Sequence, residues 1–484
     1  MYSIGGDRLS WLDRAIAFIS PSLAYKREAW RKAYEELRSY DAGTNDRLNA
    51  GWRVVNSSAE QTDSVYRDTI RARARDLERN SDIQESIIGA FERNVVGTGF
   101  KLQAKTDDEE LNAKIEKLWK EWCKPRNCDV TFQQSFDEMC RMAIRRIKID
   151  GGIIFIKRYT KDGVVPFSLQ VREVDDLDIM QASKNNVRIV NGIEYNEFNR
   201  PIAYYFKKYD VNGFYSGESE RIEANDVIFL WRKKRPSQIR EMSEMAPTIT
   251  RIRDVNSYME AVSVKERVAA CLSVFIRRQS PGPGTIGRQA KSSSSTYEGK
   301  TLSPGMIMEL NPGDDVSVVN PPAQGASAAD FVRLQQRLAG SGQGISYEAT
   351  ARDMSQVNYS SARQGLLEDQ KTYQIEQKFL IDHLLTEVYE TFLISAVLSG
   401  ALNIKDFWSR KKEYMQHEWT PPGMKWIDPL KEASANKISL ETNQTTLAEI
   451  AATSGQDWRE IIDQRAREIE YMKQKGVIGF GEQK

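Results

Sequence analysis

Gly344-Ile-Ser-Tyr-Glu-Ala-Thr-Ala-Arg-Asp-Met-Ser-Gln-Val-Asn358-Tyr-Ser-Ser-Ala-Arg-Gln-Gly-Leu-Leu-Glu368 is the stretch whose reading decides the fold. A short amphipathic segment, Ala329–Ala339, precedes it, and a long helical pattern running to Gly400 follows it. In that pattern apolar residues recur at Leu366, Leu367, Tyr373, Phe379, Leu380, Leu384, Leu385, Val388 and Phe392, close to the 3.6-residue period of a helix. Asn358 or a neighbouring serine can cap its start, because a short side-chain oxygen accepts from the free N–H groups of a first turn. A polar turn between a short helix and a long one presents side chains to whatever passes. This one carries Glu348, Arg352, Asp353 and Gln356, of both charge signs and without a basic excess.

Upstream, Tyr25–Arg38 has a helical pattern, and Thr62–Arg93 reads as one charged helix marked by Val65, Ile70, Leu77, Ile83, Ile87, Ile88 and Phe91. Its run Arg71-Ala-Arg-Ala-Arg75 has the look of a nucleic-acid patch, but Asp68, Asp76 and Glu78 are spaced to neutralise it, so an exposed helix face is expected. Glu110–Cys123 and Thr131–Ile149 read as two further helices. Strands are then expected at Gly152–Tyr159, Phe167–Val174, Val187–Ile189, Ile193–Tyr195, Ala203–Tyr209 and Val227–Trp231. There β-branched and aromatic residues cluster between turns such as Lys161-Asp-Gly163, Asn191-Gly192 and Asn212-Gly213. This is an α+β domain with an antiparallel sheet. After Pro247 a helix runs to about Arg278, with Ile252, Val255, Met259, Val262, Ala269, Leu272 and Ile276 on one face. Residues 280–327 then hold 6 of the 15 prolines, 7 glycines and 8 serines, including the low-complexity Lys291-Ser-Ser-Ser-Ser-Thr296, with strand character only at Met306–Leu310 and Val316–Val319. Beyond Pro421-Pro422, short helices are expected at Lys431–Ile438, Gln444–Ala452 and Gln456–Lys475.

At 484 residues the chain exceeds a single core, which stops growing at about 250–300 residues. Charge is abundant and nearly cancelled, 69 Lys+Arg against 68 Asp+Glu. That argues against a tight nucleic-acid binder while leaving a loose contact open. Four cysteines, Cys123, Cys128, Cys140 and Cys271, suit free thiols in a reducing cytosol. Trp11–Ile19 is broken by Asp13 and Arg14, and the longest apolar run, Thr391–Leu402, is short of the roughly 20 residues of a membrane span. A soluble protein made in the cytoplasm, without membrane contact, is expected.

Catalytic signatures are weak. No Gly-x4-Gly-Lys-Ser/Thr phosphate loop occurs. Gly282-Pro-Gly284-Thr-Ile-Gly287 fits a dinucleotide motif by letter, but no helix follows it and Pro283 lacks the N–H that a phosphate would need. Cys123 and Cys128 have no histidine nearby, since the two histidines are His383 and His417; buried or surface thiols are expected rather than a zinc site, and His383 is expected to pack or to cap a polar contact. Asp175, Asp176 and Asp178 fit a strand-end turn or a divalent cation, the turn being favoured. No metal, cofactor or catalytic residue is expected.

The opening stretch resembles the portal proteins of tailed bacteriophages, in particular the lambda-like portal family. The matching words are Ser346-Tyr-Glu348, Asp353-Met-Ser355 and Asn358-Tyr359-Ser360-Ser361-Ala-Arg363 with Gly365-Leu-Leu-Glu368. Asn94-Val-Val-Gly-Thr-Gly99, Arg235-Pro-Ser-Gln238 with Met245-Ala-Pro247, and Trp426-Ile-Asp-Pro429 with Lys431-Glu432 look like further words of that family, in the same order. One departure stands out: Glu241 follows Arg240 where the family usually has Gly.

The resemblance implies a non-enzymatic subunit of a ring, typically dodecameric, at one capsid vertex, assembled in the host cytoplasm and kept in the virion. Double-stranded DNA would pass its channel during packaging and ejection, held loosely and without sequence preference. Partners would be terminase, which supplies the motor, then head-completion or adaptor proteins, and the major capsid protein. The implied subunit is α+β, with an N-terminal segment 1–40 and an α+β wing 41–247. Stem helices 248–279 and 328–341 would flank a small α/β clip 280–327, followed by a tunnel loop 342–358. The long helix and return 359–428 would belong to the wing, and 429–484 would form a helical crown. Two amphipathic helices around a Pro/Gly/Ser insertion support that order on their own, because they make a hairpin with the insertion at its far end. A phage DNA-processing enzyme with a carboxylate metal site, or an adaptor without a channel, is the alternative.

A polar, low-complexity segment buries and orders little, so its removal costs little. Deleting Gly282–Tyr297 is expected to leave ring assembly intact by electron microscopy; loss of rings would mean that the segment packs between subunits.

Overall fold

The computed structural model describes residues 56–183, 187–210, 212–271, 275–276, 308–309, 325–355, 359–423 and 429–475, with a few residues between Phe18 and Lys26. Met1–Ser58 and Ala59–Lys484 are separate units. In the first, Pro21–Leu23, Tyr25 and Lys26 are helical; the rest of the expected helix to Arg38 lies outside the described residues, as do the expected strand Val316–Val319 and most of 280–327.

The second unit begins with α1 (Ala59–Asp63), α2 (Arg67–Asn80) and α3 (Asp82–Phe91), which continues as a π turn Glu92–Val96. The single helix expected over Thr62–Arg93 is therefore divided, by a turn at 64–66 and again at Ser81. The cause of the second break is Ser81, which is extended at φ −126° and whose hydroxyl accepts from the Gln84 amide. Serine competes with the helix backbone in this way, so it starts helices better than it continues them. Next come β1 (Lys101–Ala104), α4 (Glu109–Trp122), α5 (Pro125–Cys128) and α6 (Phe136–Ile149). α6 starts five residues later than the periodicity suggests, at a capping box of Ser135 and Glu138. Thr131, Gln133 and Gln134 are instead drawn into a loop by donating their amides to the Asp129 carboxylate.

Gly151 turns the chain from α6 into the sheets. Its φ is +92°, and a Cβ there would meet the Met242 backbone at 2.4 Å. The strands are β2 (Gly152–Arg158), β3 (Ser168–Arg172), β4 (Arg188–Val190), β5 (Ile193–Tyr195), β6 (Pro201–Tyr209), β7 (Tyr215–Glu223) and β8 (Val227–Trp231). They form two antiparallel sheets, β3-β2-β8 and β4-β5-β6-β7. β2 is central, with Phe155 opposite Val171 and Ile228, and is buried on both faces, which is why Gly-Ile-Ile-Phe-Ile reads as a continuous apolar run. β7 has no such signal because it is an exposed edge, and its Glu218, Glu220, Arg221 and Glu223 blunt that edge against further pairing.

α7 (Ile249–Cys271) leads to β9 (Phe275–Ile276), which pairs in parallel with β10 (Met308–Glu309). α8 (Gly325–Gln343) returns alongside α7: Gln343 reaches Thr248 while the Tyr258 and Phe331 rings lie 4.8 Å apart. This is an antiparallel hairpin. α9 (Tyr347–Ala351) follows, then α10 (Tyr359–Leu380), a π turn Ile381–Leu385 and α11 (Thr386–Leu398). After α12 (Lys411–Tyr414), β11 (His417–Thr420) pairs antiparallel with β1, bringing the late chain beside the early one. α13 (Pro429–Glu441), α14 (Leu447–Thr453) and α15 (Trp458–Gln474) end the described chain.

The main core joins α3, α4, α6, β2 and α11. At its centre Trp122 stacks on Phe167 at 5.3 Å and donates its indole N–H to the Phe167 carbonyl at 2.7 Å. Trp119 stacks on Trp122 at 4.9 Å and in turn meets Phe136, Phe392 and Trp419 edge to face, worth about 0.5–1.5 kcal/mol per pair beyond burial.

Two buried charge clusters fix how the elements meet. In the first, Glu241 is fully buried, with Arg240 at 2.6 Å and Arg71 at 3.0 Å, while Arg67 donates to its carbonyl at 2.9 Å. Arg75 pairs with Asp150 at 2.7 Å and Asp175 at 2.6 Å. This corrects the exposed-face reading of Arg71–Arg75. Arg71 and Arg75 turn inward, and of the three expected acids only Asp68 pairs with this run. Asp76 accepts from Asn80, and Glu78 from Arg145. It also accounts for Glu241 in place of the family's glycine: a carboxylate is needed where three arginines converge. In the second cluster, Lys148 bonds Glu244 at 2.6 Å and Glu376 at 2.8 Å, and Arg232 bonds Glu376.

Burial works against the Glu241 charge, but Arg240, Arg71 and Arg67 outweigh it and hold the carboxyl below its ordinary range. Its contribution is present above the unfolded value, about 4.3, and is lost as pH falls through the lowered folded value. Glu241→Gly is expected to cost about 3–5 kcal/mol in urea unfolding at pH 7, because it leaves buried guanidinium groups unpaired. A loss below about 1 kcal/mol, the size of an exposed pair, would refute the network.

Candidate functional site

The turn that opened the sequence reading is built where α8 ends. Gln343 donates to the Glu244 carbonyl at 3.0 Å, and the Gly344 carbonyl accepts from Thr372 of α10 at 2.7 Å. Gly340 allows the chain to fold back on itself, since a Cβ there would come within 2.2 Å of the Thr350 hydroxyl. Ser346 caps α9 by accepting from the Ala349 amide at 3.2 Å. It also donates twice to Asp369 of α10, from its amide at 2.7 Å and its hydroxyl at 2.6 Å. Burial raises the Asp369 carboxyl above its ordinary range, and the two Ser346 donors only partly oppose this.

The first half of the segment expected as a loop over 342–358 is thus a helical turn strapped to the long helix. Tyr347 donates to Asp353 at 3.0 Å, and Arg337 lies 5.2 Å over the Tyr347 ring. Asp353 also accepts from the Ser355 amide at 3.0 Å; Ser355 and Tyr347 together hold its carboxyl low. Arg352 ends α9 in the left-handed region at φ 54°, its amide bonded to the Glu348 carbonyl.

The structure brings Ser346, Tyr347, Glu348, Asp353 and Gly365 into one neighbourhood, a Cβ at Gly365 falling 3.6 Å from Ser346 and 3.9 Å from Glu348. Ser360 is exposed at the start of α10, and Tyr359, Ser361 and Arg363 lie on the same helix. Glu368 faces outward and pairs with Lys371 at 2.8 Å. Gln356 and Asn358 lie outside the described residues, so the expected Asn358 cap does too. Sequence reasoning missed Asp369, Thr372 and Gly340. A signal existed for Asp369, a charged residue that stands between Leu366 and Tyr373 on the helix's apolar stripe.

The remaining candidates are packed. Asp175 pairs with Arg71 and Arg75, Asp176 accepts from Arg172 and Tyr209, and Asp178 accepts from Tyr215 at 3.1 Å. This is the strand-end turn. Among the described residues no three His, Cys, Asp or Glu side chains gather as a metal site. Cys123, Cys128 and Cys140 are free thiols; burial pushes Cys128 up to about 12 and the other two well up. His383 lies against Phe379, and His417 against Tyr389. The dinucleotide-like word at 282–287 lies outside the described residues. Among the described residues no helix is long and apolar enough to cross a membrane.

Ser346→Ala is expected to cost about 1–2 kcal/mol in urea unfolding, the loss of a cap, and to speed amide exchange at Ala349 and Thr350. Unchanged exchange there would mean that the strap does not hold α9.

Comparison with known proteins bears on the whole chain. The family described as "Phage portal protein, lambda family" matches residues 45–377. The chain is 26% identical over 466 residues to the "Probable portal protein" of Halomonas phage phiHAP-1, covering 92% of this chain and 89% of that one. It is 21% identical to "Portal protein B" of Escherichia phage lambda, covering 84% of each. Among solved structures, a chain in the neck of a native GTA particle computed with C12 symmetry matches at 14% identity, with a TM-score of 0.38 over 83% of this chain and 95% of that one. The family match spans the paired arginines of α2, the Glu241 cluster, the α7–α8 hairpin and the strapped turn, and the chain belongs to the lambda family of phage portal proteins.

Proposed function

We propose that the chain is the repeating subunit of a ring, of twelve copies, at one vertex of the phage head. Its bore is the passage for double-stranded DNA in packaging and ejection. Terminase docks on the ring first and supplies the motor; head-completion or adaptor proteins follow, and the major capsid protein surrounds it. In this reading the chain is not an enzyme. Residues 41–247 and 359–428 serve as the wing, 248–279 and 328–341 as the stem, 280–327 as the clip, and 429–484 as the crown. Residues 342–358 line the bore.

The observation that carries the reading is the α7–α8 hairpin. Ile252 and Val255 are buried near the body, but Met259 and Val264 of α7 and Phe331, Leu334 and Leu338 of α8 are exposed. An apolar stripe on paired helices calls for a cover, and the same stripe on a neighbouring subunit supplies one in a closed ring. The turn follows from α8 directly, so it belongs with the ring's inner elements. Near-neutral charge, 69 basic against 68 acidic residues, suits a polymer that must slide both ways, since every fixed phosphate contact steepens the salt-dependent grip.

Light scattering on the eluting protein is expected to give about 0.6–0.7 MDa for twelve copies of a 55.3 kDa chain. A monomer or dimer with metal-dependent nicking of DNA would favour the processing enzyme. Arg352→Glu is expected to leave rings intact by electron microscopy and to lower nuclease-resistant DNA in particles several-fold, because the ring repeats one charge change around the bore. Normal DNA content, or loss of the ring, would remove the turn from the channel.

A further inference from the structure

We infer that α13–α15 form a charge-operated latch, an arm that closes on its own subunit through two screened ion pairs and leaves it without unfolding the body. The inference stands apart from the channel reading above. Among the described residues after Thr420, only Ala451 and Asp457 are buried. Neither apolar core contains a residue beyond Trp419. Leu430, Ile438, Ile461 and Ile469 of the arm are exposed instead. The burial that fixes α3, α4, α6 and α11 is therefore not what holds the arm. An element with so few buried apolar contacts opens far below the free energy of global unfolding.

Three contacts close it. Lys101 of β1 pairs with Glu460 of α15 at 3.0 Å, and Glu109, the first residue of α4, pairs with Arg459 at 3.7 Å. All four side chains are exposed, so salt weakens both pairs. The third contact is backbone on backbone. Gly455, at φ +69° between α14 and α15, crosses Gly423, where a Cβ would meet the Thr453 carbonyl oxygen at 2.2 Å. A crossing without side chains fixes one closed position and adds no side-chain burial.

The keeper of the latch belongs to the body. Gln377 of α10 is buried and donates its amide to the carbonyls of Asn94 at 3.2 Å, Val95 at 3.3 Å and Pro422 at 3.3 Å. Gly97, at φ +47°, brings its turn against the same proline, its Cβ position lying 3.6 Å from the Pro422 ring. Pro421–Gly423 is thus bolted to the long helix and to the Asn94–Gly99 turn, and the movable part begins beyond it. Closing also works against charge. Burial raises the Glu116 carboxyl of α4; the Ala104 amide and Arg459 oppose the rise, and Asp457 and Glu460 of the arm add to it. The closed arm sets its own acids beside a third, and salt or any charged surface that competes for Lys101 or Glu460 opens it.

The test uses the full-length protein and a zero-length carbodiimide, which joins an ammonium to a carboxylate only where the two touch. The Lys101–Glu460 link is quantified by mass spectrometry against the Lys124–Glu121 link, whose partners lie three residues apart on the body and stay together in either state. Its yield is expected to fall several-fold between about 0.1 M and about 1 M NaCl, which shortens the screening length from about 10 Å to about 3 Å. Glu109→Gln should lower it several-fold at the lower salt, because breaking one pair loosens the other only where both act on one movable arm. Gly423→Ala should remove it at both. Near-ultraviolet melting of the body should match the wild type in both variants. A Lys101–Glu460 yield indifferent to salt and to Glu109→Gln overturns the latch, since a rigid arm behaves so. A lower melting temperature in Glu109→Gln, or loss of fold in Gly423→Ala, overturns it by placing the arm within the cooperative body. Mixed light- and heavy-isotope chains report which copy is joined, and a Lys101–Glu460 link between two copies overturns closure on the arm's own subunit.

Discussion

Lys148 holds this subunit together at one point. Its ammonium lies on the last turn of α6, buried, with Glu244 at 2.6 Å, Glu376 at 2.8 Å and the Phe91 ring centroid 4.1 Å away. Glu244 belongs to the connection that enters α7, Glu376 to the middle of α10 and Phe91 to the end of α3. Arg232, just past β8, adds a second cation to Glu376. Burying four charges is expensive, and a well-packed apolar cluster would stabilise as well or better. What the charges supply is direction: an ammonium between two carboxylates accepts one arrangement of three helices and a strand end, where methyl groups would accept several. Removing one partner leaves an uncompensated buried charge, at a cost of about 3–5 kcal/mol.

The joint determines how the turn behaves. Gln343 at the end of α8 bonds the Glu244 carbonyl, and Glu376 sits two helical turns beyond Asp369 on α10. The helices on either side of the turn, α8 and α10, are thus tied to the same cluster. The strap at Ser346 and Asp369 shortens the free span further. Arg352, Met354 and Ser355 are what remains exposed, while Asp353 is held by Tyr347 and Ser355.

Helices and buried strands are readable because their apolar periodicity is produced by a single neighbouring core: α4, β2 and the continuous run from α10 through the π turn to α11 have the expected spans within about two residues, and α6 ends where expected. Failures came where polar groups decide. Ser81 looks like one more residue in a charged helix, and only its hydroxyl bond to the Gln84 amide makes it a boundary. β7 pairs along its backbone, and its exposed Tyr-Ser-Gly-Glu-Ser-Glu carries no alternation to read. The turn's residues were recognisable as a family word, while their purpose as caps and straps depends on Asp369 and Thr372, which lie in the helix that follows. Arg71 and Arg75 were misplaced because acids at helical spacing were assumed to pair with them, whereas Asp150, Asp175 and Glu241 arrive from far along the chain.

That misplacement has a consequence for how the charge of a nearly neutral chain is read. Composition alone treats 69 basic residues as available. The structure withdraws the densest basic run, since Arg71 and Arg75 are spent on internal carboxylates and cannot be offered to phosphate without breaking the body. Arg145 and Arg146 share Glu78, and Arg240 is enclosed with Glu241. A count of lysines and arginines therefore overstates what this run can offer to a polyanion, because the internal pairs have to be removed before the remaining charge is read.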